Sequence, residues 1–488
     1  MKPLISICNI IIPPPSEIDR RAYDQRIRDS LKLNRLEIPL EVLRKASSFQ
    51  QETIACVVGV LGERHKLIDT GTVKSYSIAL DIGTTNLVAE LYDNVSKTVA
   101  ASAKEENLQI QFGSDIMTRM HHCMGGRAEE VYQALNQGVN AIINTLCADA
   151  GIDTSNVHAL VAAGNTVMSH FLLGLDISTI PVEPFTPVAR QPGFCRASEI
   201  GLNINVEGLV YVLPNAGSYV GGDIIAGILA TGIHLAEEPC MLIDVGTNAE
   251  VVIGCKDWLL VGAGAAGPAL EEGIAGIGKR ADSGIIYDLN IHDSVMECST
   301  FDNTPPNGIC GSGMVSLIYE LYKAEIIGRD GQLNTDSPGV GKNENCHFYT
   351  LPCAPDGTLV ISQPEIDNFL RSKAAMFTLL LVLLRSVGLQ FRDISKVYVA
   401  GALGNGINAG KASAIGMLPE WPADRISPVG NTSLLGALMI IQDSSLLQQE
   451  DSIIDKITYK HMHDDPEFMK EFQGGMFIPH TNPELLRA

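Results

Sequence analysis

The sequence lacks any closely spaced cysteine pair. Its eleven cysteines include no Cys-x-x-Cys, and the nearest two, Cys346 and Cys353, have six residues between them. That spacing excludes the local motifs of ferredoxin clusters and zinc ribbons. Most of the thiols are therefore expected to be buried and reduced, and no iron-sulfur cluster is expected in the chain. Basic residues are also scarce, with 35 lysines and arginines against 56 aspartates and glutamates, a formal charge of −21. Such a surface repels phosphate backbones and anionic bilayers, so neither nucleic acid nor membrane is an expected partner. The apolar run from Ala374 to Leu384 stops at Lys373 and Arg385; it is too short for a bilayer and reads as a buried helix. The run from Leu4 to Ile12 follows a lone Lys2, meets Pro13-Pro14-Pro15 and shows no small-residue cleavage site. An opening strand and a cytoplasmic location are expected from it, rather than a signal peptide. Low-complexity segments are absent. His121, His122 and Cys123, and His461 with His463, Asp464 and Asp465, have no second half at metal-ligand spacing, so both read as solvated loops.

What the chain does have, it has twice. Ser77-Ile-Ala-Leu-Asp-Ile-Gly-Thr-Thr-Asn86 and Met241-Leu-Ile-Asp-Val-Gly-Thr-Asn-Ala-Glu250 are apolar runs ending in Asp-x-Gly-Thr. Each precedes a second β-prone run, so each predicts a hairpin with a tight polar turn. Gly83 and Gly246 allow close approach of a phosphate, while Thr84, Thr85 and Thr247 offer hydroxyl and amide donors. Asp81 and Asp244 are suited to hold a hydrated Mg²⁺. Two such turns would clamp a nucleotide triphosphate, and copies 163 positions apart imply a duplicated domain with a cleft between its halves. A third element, Val397 to Gly406, is a strand running into a glycine-rich turn at Gly401, Gly404 and Asn405, which would let the chain pass under a flat adenosine.

Other glycine-rich stretches punctuate the halves. Tyr219 to Gly227 puts Asp223 at a helix start, where it would cap the helix or face the nucleotide. Ala263 to Gly273 places Pro268 early in a helix, leaving Gly264 and Gly267 to offer amides to phosphate. Gly308-Ile-Cys-Gly-Ser-Gly313 leads into an apolar helix and reads as close helix packing or as ligand contact. With 488 residues, 45 % of them apolar, the chain has material for several domains. The expected division is residues 1–72, a small α+β domain; 73–235, a first α/β half; and 236–488, a second half with a tail in which Gly475 to Ile478 is strand-like.

In the order Asp81 turn, Asp244 turn, Gly401 turn, these elements resemble the two phosphate motifs and the adenosine motif of the acetate and sugar kinase, heat-shock chaperone and actin superfamily. The wider set is more specific. Ala163 to His170, the Gly-Gly-Asp ending at Asp223, Asp244 to Asn248, Gly267 to Glu271, Gly308 to Gly313 and Val429 to Gly436 together resemble the ATP-dependent reductive activators of corrinoid proteins. The resemblance covers nearly the whole chain. It implies two ribonuclease-H-like, actin-like ATPase halves around a nucleotide cleft. It also implies ATP and Mg²⁺ as cofactors, and an activity that returns the cobalt(II) corrinoid of a methyltransferase system to cobalt(I). Asp81, Asp244 and Asp223 would be catalytic. Gly83, Thr84, Thr85, Gly246, Thr247, Asn248, Gly264, Gly267, Gly401, Gly404 and Asn405 would line the nucleotide, with Ala402 where relatives tend toward a second glycine. Lys373 matches a lysine on a late helix of relatives, near the adenosine. The expected partners are a corrinoid protein and, because clustered cysteines are missing, a separate low-potential electron donor. A homodimer is a possible state, and a symmetric one could bridge a cluster with two cysteines from each subunit; Cys123 and Cys147 flank a helical stretch. The alternative activity is that of a small-molecule kinase with Asp223 as general base; a nucleotide-gated chaperone is a third.

Overall fold

The computed structural model describes residues 2–49, 53–218, 220–246, 248–264, 276–279, 282–293, 295–354, 358–401 and 406–488. It divides into two compact units, one of residues 1–230 with 432–455, the other of residues 231–431 with 456–488. The chain thus leaves the second unit at residue 432, contributes the helix Thr432–Gln442 and most of the helix Glu450–Lys456 to the first, and returns. Among the described helices none is long and apolar enough to cross a membrane.

The first unit opens with a four-stranded sheet built from β1 (Ile5–Ile11), β2 (Leu36–Glu37), β3 (Thr53–Leu61) and β4 (Arg64–Thr70), in the order β1-β3-β4-β2, with the helix Tyr23–Leu31 beside it. The polyproline break ends β1, as fixed φ and a missing N–H require. This sheet is joined to the rest of the unit by the Lys66–Glu207 ion pair at 2.7 Å and by the Leu4 amide on the Ile441 carbonyl at 2.9 Å.

Next come β5 (Tyr76–Ile82), β6 (Asn86–Asp93), β7 (Thr98–Glu106), β8 (Val157–Gly164), β9 (Gly193–Arg196) and β10 (Leu209–Val212), ordered β7-β6-β5-β8-β10-β9. β5 pairs antiparallel with β6 and parallel with β8. The parallel connection needs a crossover, and the helix Ala128–Ala150 provides it. Its residues Val131, Leu135, Val139, Ile142 and Leu146 recur every three or four positions and are all buried in the core of this sheet. Gly151, at φ 63°, ends it in the left-handed conformation.

The second unit repeats the order. β11 (Cys240–Val245), β12 (Ala249–Gly254) and β13 (Leu259–Gly264) form the antiparallel part, and the strands Lys396–Ala400 and Ile426–Gly430 follow β11 in parallel. From the third hairpin strand across, both sheets therefore read three, two, one, four, five. Each adds one edge strand of its own: β9 in the first, Ile457–Tyr459 beside β13 in the second. The shared order is the structural mark of duplication. It also places the turn after each first strand at the same point of its sheet.

Two local expectations are corrected. Gly475 to Ile478 is not a strand; it is the end of the helix Phe468–Gly475 and the turn after it. His121 and His122 lie on the helix Ile116–His122 rather than in a loop, and Cys123 is buried.

Candidate functional site

In the first unit, β5 runs out at Ile82 and the chain turns through Gly83, Thr84 and Thr85 into β6. A Cβ on Gly83 would lie 2.6 Å from the Asn86 carbonyl oxygen, so only glycine closes this turn. Thr84 is buried, and Asp81 and Thr85 are half-buried. A residue the sequence did not single out holds the turn in place. Asn107 is buried, its Nδ2 donates to the Gly83 carbonyl at 2.9 Å, and its amide donates to the Thr85 carbonyl at 2.9 Å. Its Oδ1 meanwhile accepts the Gln109 amide at 3.0 Å. Support continues behind it, since Gln109 accepts from the buried Arg119 at 3.3 Å. Burial lowers the Arg119 guanidinium to about 10.

Register carries two further motifs to the same strand ends. Asp81 lies beside Ala163 and Ile82 beside Gly164 on β8. Asn165 then caps the helix Thr166–Leu173, accepting the Val167 and Met168 amides at 3.0 Å each. Gly221 packs on Asn165 so closely that a Cβ would meet its Cα at 2.3 Å, which sets the start of the helix Gly222–Thr231 there. Asp223 sits in that first turn, half-buried, its Oδ1 accepting the Ile224 amide at 2.8 Å. The Asp81 turn, the Asn165 cap and Asp223 thus gather at the carboxyl ends of β5 and β8, where open α/β sheets bind their ligands. Gly436, in the helix Thr432–Gln442, lets that helix cross the Asp223 helix, since a Cβ would meet the Ala226 carbonyl at 2.4 Å.

In the second unit, β11 ends at Val245, and Gly246 donates to the Asn248 carbonyl at 2.9 Å across the turn. Asp244 is half-buried and Asn248 exposed. Asp244 lies beside Ala400 in the parallel pair, and Val245 bridges to Gly401. Gly401 has φ +68°, and a Cβ there would fall 2.3 Å from the Val245 oxygen and 2.7 Å from Asp244 Oδ1. The phosphate-like turn and the start of the glycine-rich turn are therefore in direct contact. Thr247, Gly267, Ala402, Gly404 and Asn405 lie outside the described residues.

Three residues serve packing in the structure. Gly264 sits on β13 opposite Ala249, with Leu379 against it. Gly313 brings its helix onto the strand Ile285–His292, a Cβ being 2.3 Å from the Ile286 oxygen. Lys373 is fully buried, and its Nζ donates to the carbonyls of Gly475, Phe477 and Pro479 at 2.5 to 2.6 Å. Burial pushes the ammonium down to about 7, but three short bonds to carbonyls need all three N–H donors and so favour the charged form. With its donors used, Lys373 pins the tail and has none left for an adenosine.

Nine of the eleven cysteines are unpaired, but only five, Cys56, Cys123, Cys147, Cys240 and Cys255, are buried, and Cys298 and Cys353 form a disulfide with Cα atoms 6.2 Å apart. Fifty-five positions separate them, so spacing gives no sign of it. Cys123 and Cys147 face the core, where burial pushes both thiols up to about 11. That environment does not suit a cluster shared with a second subunit.

Comparison with known proteins agrees with this arrangement. Residues 76–236 match the model of the RACo middle region, and residues 238–488 match the C-terminal domain of RACo, the ASKHA domain. The corrinoid activation enzyme RamQ of Eubacterium limosum is 29% identical over 81% of this chain and 69% of its own length. The Co(II) methylated amine-specific corrinoid protein reductase of Methanosarcina barkeri is 23% identical over 79% of this chain and 74% of that protein. A solved structure of a reductive activator for a corrinoid, iron-sulfur protein superposes with a TM-score of 0.91 at 32% identity, covering 99% of this chain and 80% of that one. With two matched domains, a matching duplicated sheet order and one relative superposing along almost its whole length, this chain belongs to the RACo family and carries its actin-like ASKHA fold.

Proposed function

We propose that this protein is an ATP-dependent activator that supports reduction of a partner protein's cobalt(II) corrinoid to cobalt(I), with electrons from a separate donor. The observation that carries the reading is the pair of Asp-x-Gly-Thr turns at equivalent points of two like-ordered sheets, in a chain of this family. Both turns serve Mg-ATP. The half-buried carboxylates of Asp81 and Asp244 fit an octahedral ion that keeps its water shell, and the ion would neutralise phosphate charge. Gly83 and Gly246 leave room for phosphate oxygens, and the Thr84 and Thr85 turn supplies donors. Asp223, on a first helical turn at the same strand ends as Asp81, orients the attacking water.

The energetics are within reach of nucleotide binding. For one electron 59 mV is a tenfold change in equilibrium, so an uphill step of roughly 200 mV needs about 5 kcal/mol. A ligand whose affinities for two states differ by about 5.5 kcal/mol takes an equilibrium from roughly 1:99 to 99:1. ATP that favours one complex with the corrinoid protein can therefore drive the reduction without a redox group on this chain. The test follows cobalt(I) absorbance anaerobically, with a chemical reductant and candidate corrinoid proteins, with ATP, with a non-hydrolysable analogue, or with neither. Faster cobalt(I) formation with ATP supports the reading; phosphorylation of a small metabolite without it replaces the reading with that of a kinase.

A further inference from the structure

Charge is divided unevenly along the chain. Residues 1–75 hold 12 lysines and arginines against 9 aspartates and glutamates, while the remainder holds 23 against 47. The small N-terminal sheet is thus a net-positive region in an acidic protein. Within it a cavity of about 430 Å³ is lined by Arg28, Arg35, Arg64 and His65, together with Leu36, Leu61 and Glu37.

The backbone explains why the three arginines converge, with His65, which burial shifts toward its neutral form, beside them. β2 pairs with β4 so that Leu36 lies beside His65, and the Arg35 carbonyl accepts the His65 amide at 2.9 Å. The β3–β4 hairpin sets Leu61 opposite Arg64 across a turn at Gly62, whose φ is +62°. Arg28, on the last turn of the helix Tyr23–Leu31, donates to the Leu36 carbonyl. The carboxylates nearby offset this charge in part, and one of them, the exposed Glu37, lines the cavity itself. Glu63 pairs with Arg35 at 2.6 Å, but with side chains 82% and 68% exposed the pair is worth at most about 1 kcal/mol. Asp24 is 3.9 Å from Arg28, and Glu207 is engaged by buried Lys66. Arg64 is exposed and has no ion-pair partner among the described residues.

We propose that this basic surface docks the electron donor, an acidic one-electron carrier protein with a low-potential centre. The inference rests on the activator reading above. A carrier must arrive, dock and leave for every electron, and small, charge-steered contacts suit such transient encounters. The acidic remainder of the chain repels an acidic carrier, which leaves the N-terminal sheet as its landing place. The corrinoid partner must respond to nucleotide and so engages the halves bearing the two Asp turns; the N-terminal sheet bears neither. One electron passes from the reduced carrier to cobalt(II), giving oxidised carrier and cobalt(I), with no bond made to this chain.

The test titrates a purified acidic ferredoxin into the full-length protein at low and high salt, using wild type, the double variant Arg35→Glu with Arg64→Glu, the single variant Arg64→Ala, and a control, Arg392→Glu, in the second unit. Wild type and control should bind alike and weaken with salt. The double variant should bind roughly tenfold more weakly, and Arg64→Ala should fall between. In the cobalt assay the double variant should raise the KM for reduced ferredoxin while leaving ATP hydrolysis and the rate with reduced methyl viologen unchanged. Equal ferredoxin affinity in wild type and double variant overturns the proposal, as does binding of inorganic phosphate or anionic vesicles with no binding of ferredoxin. Failure to form cobalt(I) with either donor would count against the activator reading, whereas the titration decides docking by itself.

Discussion

In the first unit the Asp-x-Gly-Thr turn is held by a side chain, Asn107, bonded to the Gly83 carbonyl. In the second the turn's leading strand is met by backbone, with Gly401 against Val245 and the Asp244 carboxylate. The sheets share their strand order, so the difference lies in what each half adds around a common hairpin. A side-chain support weakens by degrees when substituted. A backbone support tolerates nothing larger than hydrogen, and a Cβ on Gly401 would also fall 2.7 Å from Asp244 Oδ1.

Breaking the backbone support should have the largest effect. Gly401→Ala puts a methyl within 2.3 Å of the Val245 oxygen at a φ of +68°, which should cost roughly 2–4 kcal/mol of stability and displace Asp244. Thermal unfolding and ATP turnover would both register it; a variant with wild-type Tm would mean the contact is slack. Asn107→Ala should cost less, about 1–3 kcal/mol, by leaving a partly buried carbonyl and a helix end without their partner. Calorimetric titration of ATP into this variant should show weaker binding, and unchanged affinity would remove Asn107 from the account of the turn.

A smaller effect lies on β10, one strand in from the edge of the first sheet. β10 is covered by the buried Glu450, which accepts the Tyr211 hydroxyl. Burial pushes Glu450 up to about 8, so between its unfolded value, about 4.3, and about 8 the folded state holds a proton that the unfolded state has lost. Stability from this group is therefore complete below that window and falls as pH rises through it. Glu450→Gln, which keeps an acceptor for Tyr211, should flatten the dependence of Tm on pH across that range while changing it little at the acid end. An unaltered slope would show that Glu450 is ionised in the folded protein.

The hairpins were legible because an apolar run, a tight polar turn and a second β-prone run are all local, and because the pattern occurs twice. Gly401 was legible for the same reason. Asn107 was not, since one asparagine after a strand gives no sign of what its amide will reach. Lys373 shows the opposite failure: its match to a lysine of relatives implied a place near the adenosine, but where Nζ goes depends on carbonyls about a hundred positions later. The Cys298–Cys353 bond is equally nonlocal. The return of residues 432–455 to the first unit also escapes a reading in contiguous stretches, although Gly436 is the glycine that its crossing requires.

That both turns serve Mg-ATP is the central claim, and steady-state ATP hydrolysis by Asp81→Ala and Asp244→Ala, measured separately, tests it most directly. Each substitution removes an electrostatic partner of the metal's water shell, and losses of this kind run to roughly 10²–10³ in rate. Both variants should fall by about that factor or more while unfolding at the wild-type temperature. Hydrolysis at the wild-type rate by either variant would contradict that claim.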